Sequence, residues 1–141
     1  MKKFPLYTIL TVIIFFISCK KDSNSVNKAS IIGKWYWVEQ TYTSYTNNVL
    51  TSTQDYTTTL DPTSYFEFDA NGVFIEKPQD SMNVLDSGQY HIAGDSLYLK
   101  RNIDTRTTSY DIKKLTSTSL VIYSFSNEPP YSGSLEYTMK R

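Results

Sequence analysis

Few side chains in this sequence are of the types that perform chemistry. His91 is the one histidine and Cys19 the one cysteine in 141 residues. A zinc centre draws three or four ligands from His, Cys and carboxylates, so the sequence supports no metal site, and no cofactor is expected. Alternation in "QYHIA" sets His91 opposite Tyr90 and Ile92 and therefore toward solvent. Ser132-Gly133-Ser134 lacks the Gly-x-Ser-x-Gly frame of a nucleophile elbow. Glu67, Asp69 and Glu76 lie close together in sequence, and two carboxylates are what glycoside hydrolysis needs. Acids in a hairpin, however, ordinarily serve as turn or solvent-facing groups. Asp69-Ala70-Asn71-Gly72 starts like a calcium loop, but its Gly comes two positions early and the terminal Glu is missing; it reads as a turn. No catalytic set emerges, and the chain is not expected to be an enzyme.

The tyrosines are a more informative set. The sequence has 12, and all but Tyr7 lie beyond the first eighteen residues. A tyrosine facing into a barrel offers a flat apolar body with a hydroxyl at its tip. That suits a pocket for a sterol, a fatty acid or a sugar, and equally suits a filled core.

The elements that hold these residues begin with a leader. Lys2 and Lys3 precede an apolar run, Phe4 to Ile17, which is shorter than the ~20 residues a spanning helix takes. A basic start, a short apolar run and a small residue describe an export signal. Ile17-Ser18-Cys19 resembles a lipobox, the site at which a bacterial lipoprotein is acylated on Cys and cut just before it. That resemblance implies a signal peptide over 1–18, an acylated Cys19 and a membrane anchor. Each buried methylene of an acyl chain contributes ~0.8 kcal/mol, and stable attachment takes more than one chain. Lys20 to Ser30, "KKDSNSVNKAS", is too polar to order itself, so residues 19–30 read as a flexible tether. Eleven such residues reach roughly 18 Å.

Residues 31–141 amount to one domain. The chain carries 14 basic and 14 acidic residues, and losing Lys2 and Lys3 leaves a net charge of −2. No basic patch marks a nucleic-acid partner. Tyr, Thr, Val, Ile, Phe and Trp suit pleated, half-buried surfaces, and no long stretch has helical apolar spacing. The class is all-β.

Period-two alternation and turn residues divide the domain into strands. "GKWYWVEQTYTSY" puts Trp35 and Trp37 on one face. "NNVLTSTQDYTTTLDPT" is Thr-rich and reads either as a ragged edge strand or as a long loop. "SYFEFDANGVFIEK" is a hairpin turning at Asn71-Gly72, a pair that tolerates positive φ. "DSGQYHIAGDSLYLKR" is a second hairpin. "RTTSYDIKKL" follows, then "TSLVIYSFS", apolar on both faces and so expected to be covered on both sides. Pro129 and Pro130 mark a loop, and "SLEYTMKR" closes the chain. Eight strands, or nine if the Thr-rich segment pairs, form an antiparallel up-and-down meander. Closure into a barrel of about eight strands removes exposed edges.

From Ile31 on, the chain resembles the lipocalin-like domains of small Bacteroidota-type lipoproteins. Ile31-Ile32-Gly33-Lys34-Trp35 matches a Gly-x-Trp first strand. Phe66-x-Phe68-Asp69-x-Asn71-Gly72 and Gly88-x-Tyr90 with Leu97-x-Leu99 match its hairpins. The Thr-Asp-Tyr loop of lipocalins is absent. The resemblance implies that Trp35 plugs one end of the barrel and that Arg141 or Lys140 lies across it. It implies a lipid-anchored outer-membrane protein, on the periplasmic or the cell-surface face, that holds a small apolar ligand within the barrel. Candidate wall residues are Phe66, Phe68, Tyr90, Leu97, Leu99, Tyr110, Ile112, Leu135 and Tyr137. The alternative is a solid barrel that docks on another envelope protein.

Overall fold

The computed structural model describes residues 28–78, 85–104, 106–128 and 131–141. Cys19 and residues 20–27 of the tether lie outside them. Residues 28–30, read as the end of the tether, belong instead to a helical turn, α1 (Lys28–Ile31). That turn leads into nine strands: β1 (Gly33–Thr46), β2 (Val49–Asp55), β3 (Tyr65–Phe68), β4 (Val73–Lys77), β5 (Asp86–Ala93), β6 (Ser96–Arg101), β7 (Thr107–Leu115), β8 (Ser119–Glu128) and β9 (Tyr131–Lys140).

Consecutive strands from β3 to β9 pair antiparallel, and β9 returns to β1. Eight strands therefore close into a barrel, with β2 added outside the ring. The Thr-rich segment is thus a strand in its Val49–Asp55 portion. Asn47 and Asn48, at φ +51° and +63°, form the two-residue connection that makes it a hairpin arm.

The length of β1 gives the molecule its shape. Gly33–Tyr36 pair with β3, and Thr41–Thr46 pair with β2 along the same edge. The other edge pairs with β9 from Tyr36 to Thr46. β7 reaches β8 only through Asp111–Leu115. Beyond Ser124, β8 keeps β9 as its ladder partner. The upper parts of β8, β9 and β1, with β2, thus rise past the rim as a four-stranded flap.

A bulge at Val38, between Trp37 and Glu39, changes which residues of β1 face inward. Before it Trp35 and Trp37 point into the barrel; after it Tyr42 stands opposite Leu135 and Ser44 opposite Gly133. An extra residue in one strand shifts side-chain parity by one.

The strand over 119–128 is covered less than its sequence suggests. Leu120 and Ile122 are fully buried, whereas Phe125 is 53% exposed. On the outer face, Lys113 lays its ammonium 4.8 Å from the centre of the Tyr123 ring. The alkyl stem of a lysine covers apolar surface while its head stays in water, so no second layer is required.

Candidate functional site

The two ends of the barrel differ. At one end Trp35 is fully buried and its indole Nε1 donates to the Ile31 carbonyl at 2.7 Å. The Arg141 guanidinium carbon lies 4.0 Å from the centre of the Trp35 ring. Its Nη1 donates to the Ile32 carbonyl at 3.1 Å and its Nη2 to the Ser30 carbonyl at 2.8 Å. Gly33 sits at φ +127°, and a Cβ there would lie 3.1 Å from Arg141 Nη1. Glycine is thus fixed both by backbone angle and by the approach of the arginine. Lys140 pairs across from Tyr36 and is exposed.

Above this seal the barrel holds one cluster of buried side chains. Phe66, Phe68, Tyr90, Leu97, Leu99, Tyr110, Ile112 and Tyr137 all belong to one buried cluster, with Trp35, Trp37, Phe74, Leu120, Ile122 and Met139. Ring contacts run through it: Phe68–Tyr90 and Trp37–Tyr137 at 5.0 Å between centroids, Phe66–Phe68 at 5.9 Å. The Tyr90 hydroxyl donates to the Asp69 carbonyl at 2.6 Å, which ties the Asn71-Gly72 turn to the core. Eight of the nine candidate wall residues therefore pack against one another; Leu135, only partly buried, borders the cluster.

At the opposite end an ion-pair cluster faces inward. Glu76 and Asp86 are cross-strand partners. Arg101 reaches both: Nη2 lies 2.6 Å and Nε 3.1 Å from Glu76 Oε2, and Nε lies 2.9 Å from Asp86 Oδ2. Burial pushes the Glu76 carboxyl above its usual range, and the Arg101 hydrogen bond and charge pull it partly back. Burial likewise pushes the Tyr110 and Tyr137 phenols up. Gly88 lets β5 and β6 approach beside this cluster: a Cβ there would come 2.0 Å from the Lys100 carbonyl oxygen.

The three hairpin acids read together in the sequence do not converge. Glu67 points outward and pairs with Lys34 at 3.1 Å. Asp69 closes its turn, with Oδ1 accepting from the backbone N–H of Val73 at 2.7 Å and of Asn71 at 2.8 Å. Those bonds, first that from Val73, hold its carboxyl below the ordinary aspartate range. Glu76 alone turns inward. His91 is exposed and stacks on Tyr98, with centroids 4.6 Å apart.

The open space at this end is a groove of about 400 Å3 lined by Tyr42, Ser124, Ser126, Ser132, Gly133, Ser134 and Leu135. It lies along the flap, where inward-facing aliphatics give way to hydroxyls: Leu120 and Ile122, then Ser124 and Ser126. Tyr42 lies against Gly133, where a Cβ would fall 2.9 Å from the Tyr42 hydroxyl oxygen. No lining residue is charged, so the groove suits an uncharged ligand with both apolar and hydroxyl-bearing surface.

Of these lining residues only Leu135 is among the candidate wall residues expected from the sequence. Tyr42 was hidden by the Val38 bulge, which no residue pattern announces. Ser124 and Ser126 were legible in principle, since they share parity with Leu120 and Ile122. The same holds for the ion-pair cluster, because Glu76 shares parity with Phe74, and Arg101 with Leu97 and Leu99.

No curated protein matches the sequence detectably. Two crystal structures resemble the fold. One is of a protein from Bacteroides eggerthii DSM 20697, at 12% identity and TM-score 0.49. The other is of a lipocalin-like protein from Bacteroides uniformis ATCC 8492, at 13% identity and TM-score 0.48. Each alignment covers 79% of this chain and 98% of the other. The lipocalin-like domain family matches residues 31–122 directly in sequence, and this chain, a closed antiparallel barrel, is a member of that family.

Proposed function

We propose that this protein is a lipid-anchored, non-enzymatic binding protein that holds a small uncharged ligand at the mouth of its barrel. One observation carries the reading: a groove of about 400 Å3 between Tyr42, Ser124, Ser126 and Leu135 stands open above the buried cluster of the barrel. A pocket of a few hundred Å3 accommodates a small ligand. Leu135, one of the wall residues expected from the sequence, borders both this groove and the buried cluster below it.

The anchor completes the reading. Cys19 is nine residues before Lys28, and α1 enters the barrel at the end sealed by Trp35. An acyl chain on Cys19 would hold the sealed end toward an outer-membrane leaflet and present the groove on the far side. The tether's composition supports this arrangement on either the periplasmic or the surface face.

The test is binding of a fluorescent apolar probe, N-phenyl-1-naphthylamine, to the purified protein. Wild type should bind with a blue-shifted, enhanced emission, and Ser126→Trp, which fills the groove, should abolish it. A wild type that leaves the emission unchanged, or a Ser126→Trp variant that binds equally well, overturns the groove as a binding site. Metabolic labelling with palmitate tests the anchor: Cys19→Ser should remove the label, and an unlabelled wild type refutes it.

A second reading, docking on another protein, is favoured by the exposed side chains of the flap, among them Leu50 and Phe125 at 58% and 53% exposure.

A further inference from the structure

Closing the barrel gives each of its eight strands two neighbours, whereas the added strand β2 has one. β2 hydrogen-bonds to β1 and, among the described residues, to no other strand. All seven of its residues, Val49 to Asp55, are exposed. Natural sheets blunt such edges with lysines, prolines, bulges or a covering loop. β2 has one bulge, at Thr51, opposite the Ser44–Tyr45 step of β1; otherwise "VLTSTQ" carries no charge and no proline, and Val49, Thr51 and Thr53 are β-branched.

We infer that β2 is a self-association edge, and that a second copy of this chain pairs with it, antiparallel, across a two-fold axis. What covers an open edge is another strand, because its unpaired N–H and C=O groups ask for backbone partners. Three observations favour a second copy over a foreign peptide. First, strand addition selects a peptide sequence through pockets for alternate side chains, and β2 is exposed along its whole length. Second, faces match when a strand pairs with itself. Leu50 and Thr53 lie on the outer face, opposite Tyr45 and Thr43 of β1, while Val49 and Gln54 lie on the inner face, opposite Thr46 and Tyr42. The two-fold register that sets Leu50 against Thr53 of the partner also sets Val49 against Gln54, each pair on one face.

Third, charge does not oppose the pairing. Asp55 is the one charged residue of β2, and in this register the two copies of it lie at opposite ends of the new ladder. The outer face carries a stripe of exposed Leu50, half-buried Tyr45 and exposed Phe125, the last two in edge contact at 6.4 Å between centroids. In this register each Leu50 meets the partner's Thr53, so the stripes of the two copies lie on the same face of the new ladder. Six paired residues, Val49 to Gln54, span about 20 Å and fall at the small end of interface sizes, below about 1,200 Å2. The dimer is therefore a weak one, forming in the micromolar range.

The upper part of β8 also lacks an outer strand. Pairing of β2 with β8 of a second copy would be head-to-tail and would not stop at two, so stoichiometry separates the two arrangements.

The experiment is sedimentation velocity on the full-length protein in mild detergent, from about 1 to 200 μM. Wild type should pass from monomer to dimer across that range. Leu50→Lys with Thr53→Lys places lysine opposite lysine across the axis and should weaken the dimer at least tenfold. Mixing it with the Leu50→Glu, Thr53→Glu variant should restore dimers, because unlike charges then face each other. Should the double lysine variant fail to fold, as judged by circular dichroism, Thr53→Lys alone, which sets a charge against the partner's Leu50, should still weaken the dimer. A wild type that stays monomeric at 200 μM, species larger than a dimer, or a lysine variant that dimerises as well as wild type each overturns the inference. So does a charged mixture that stays monomeric.

Discussion

Replacing Arg101 by methionine removes the cation that holds Glu76 and Asp86 at the barrel interior. In the native fold Arg101 holds Glu76 through two hydrogen bonds, at 2.6 and 3.1 Å, and Glu76 is 5% exposed. Removing one member of a fully buried pair costs about 3–5 kcal/mol, because the remaining charge is left without a partner. Arg101 is one-quarter exposed in its side chain, so water reaches the vacated side and the expected loss is smaller, about 2–3 kcal/mol. For a domain of this size that lowers Tm by roughly 10 °C. The pH dependence is more diagnostic than the size. Burial already raises the folded Glu76 carboxyl above its value in the unfolded chain, and Arg101 opposes that rise. Without Arg101 it rises further. A carboxyl raised on folding contributes stability below its unfolded value and loses it as pH climbs through the folded one. The penalty of Arg101→Met should therefore shrink as pH is lowered from 7.5 toward 5. Arg101→Met with Glu76→Gln removes the stranded charge and should recover most of the loss at pH 7.5. The assay is urea unfolding followed by tryptophan fluorescence at both pH values. A penalty below about 1 kcal/mol, or one that grows on acidification, refutes the argument that Glu76 is a buried charge held by Arg101.

Trp35→Ala should cost about 3–5 kcal/mol, the range for emptying a buried aromatic site, and Arg141→Ala about 1 kcal/mol, from a cation resting on an indole face; thermal unfolding distinguishes them, and an unchanged Tm for Trp35→Ala removes the plug. Gly88→Ala forces a methyl to 2.0 Å from the Lys100 carbonyl oxygen, and should lower stability by about 3 kcal/mol or split the β5–β6 ladder, visible as lost amide protection at Tyr90 and Leu99. Asp69→Ala should lower Tm at pH 7. Because the Asp69 carboxyl is held below its ordinary value by the Val73 and Asn71 amides, its contribution is present above the unfolded aspartate value and fades as pH falls through the depressed folded one. Wild type and Asp69→Ala should therefore converge in acid, and a constant difference across the titration would show that the carboxylate is not the source.

Much of the barrel could be read from the chain because a strand that is half covered must alternate. Phe66 and Phe68, Leu97 and Leu99, and Tyr110 and Ile112 announce their inward face by spacing alone, and each is buried. Asn71-Gly72 locates its turn for a reason equally local, namely the positive φ of +88° at Gly72. The groove was not legible in the same way. Tyr42 follows Trp35 and Trp37 at the wrong parity for a continuous strand, and only the extra residue at Val38 brings it inside. Ser124 and Ser126 look like solvent-facing polar residues until β9 and β1 are placed beside them. Arg101 and Glu76 lie 25 residues apart in sequence, and nothing local pairs them.

The sequence by itself determined the alternation of faces, the turns and the all-β class, since these follow from interactions between residues a few positions apart. Only the tertiary structure decided that side chains from all eight strands of the ring meet in one buried cluster, that one end is sealed by Arg141 on Trp35, and that a groove lies along the flap. Those outcomes depend on which strands meet and in what register. They are properties of the closed ring and have no counterpart in any single segment of the chain.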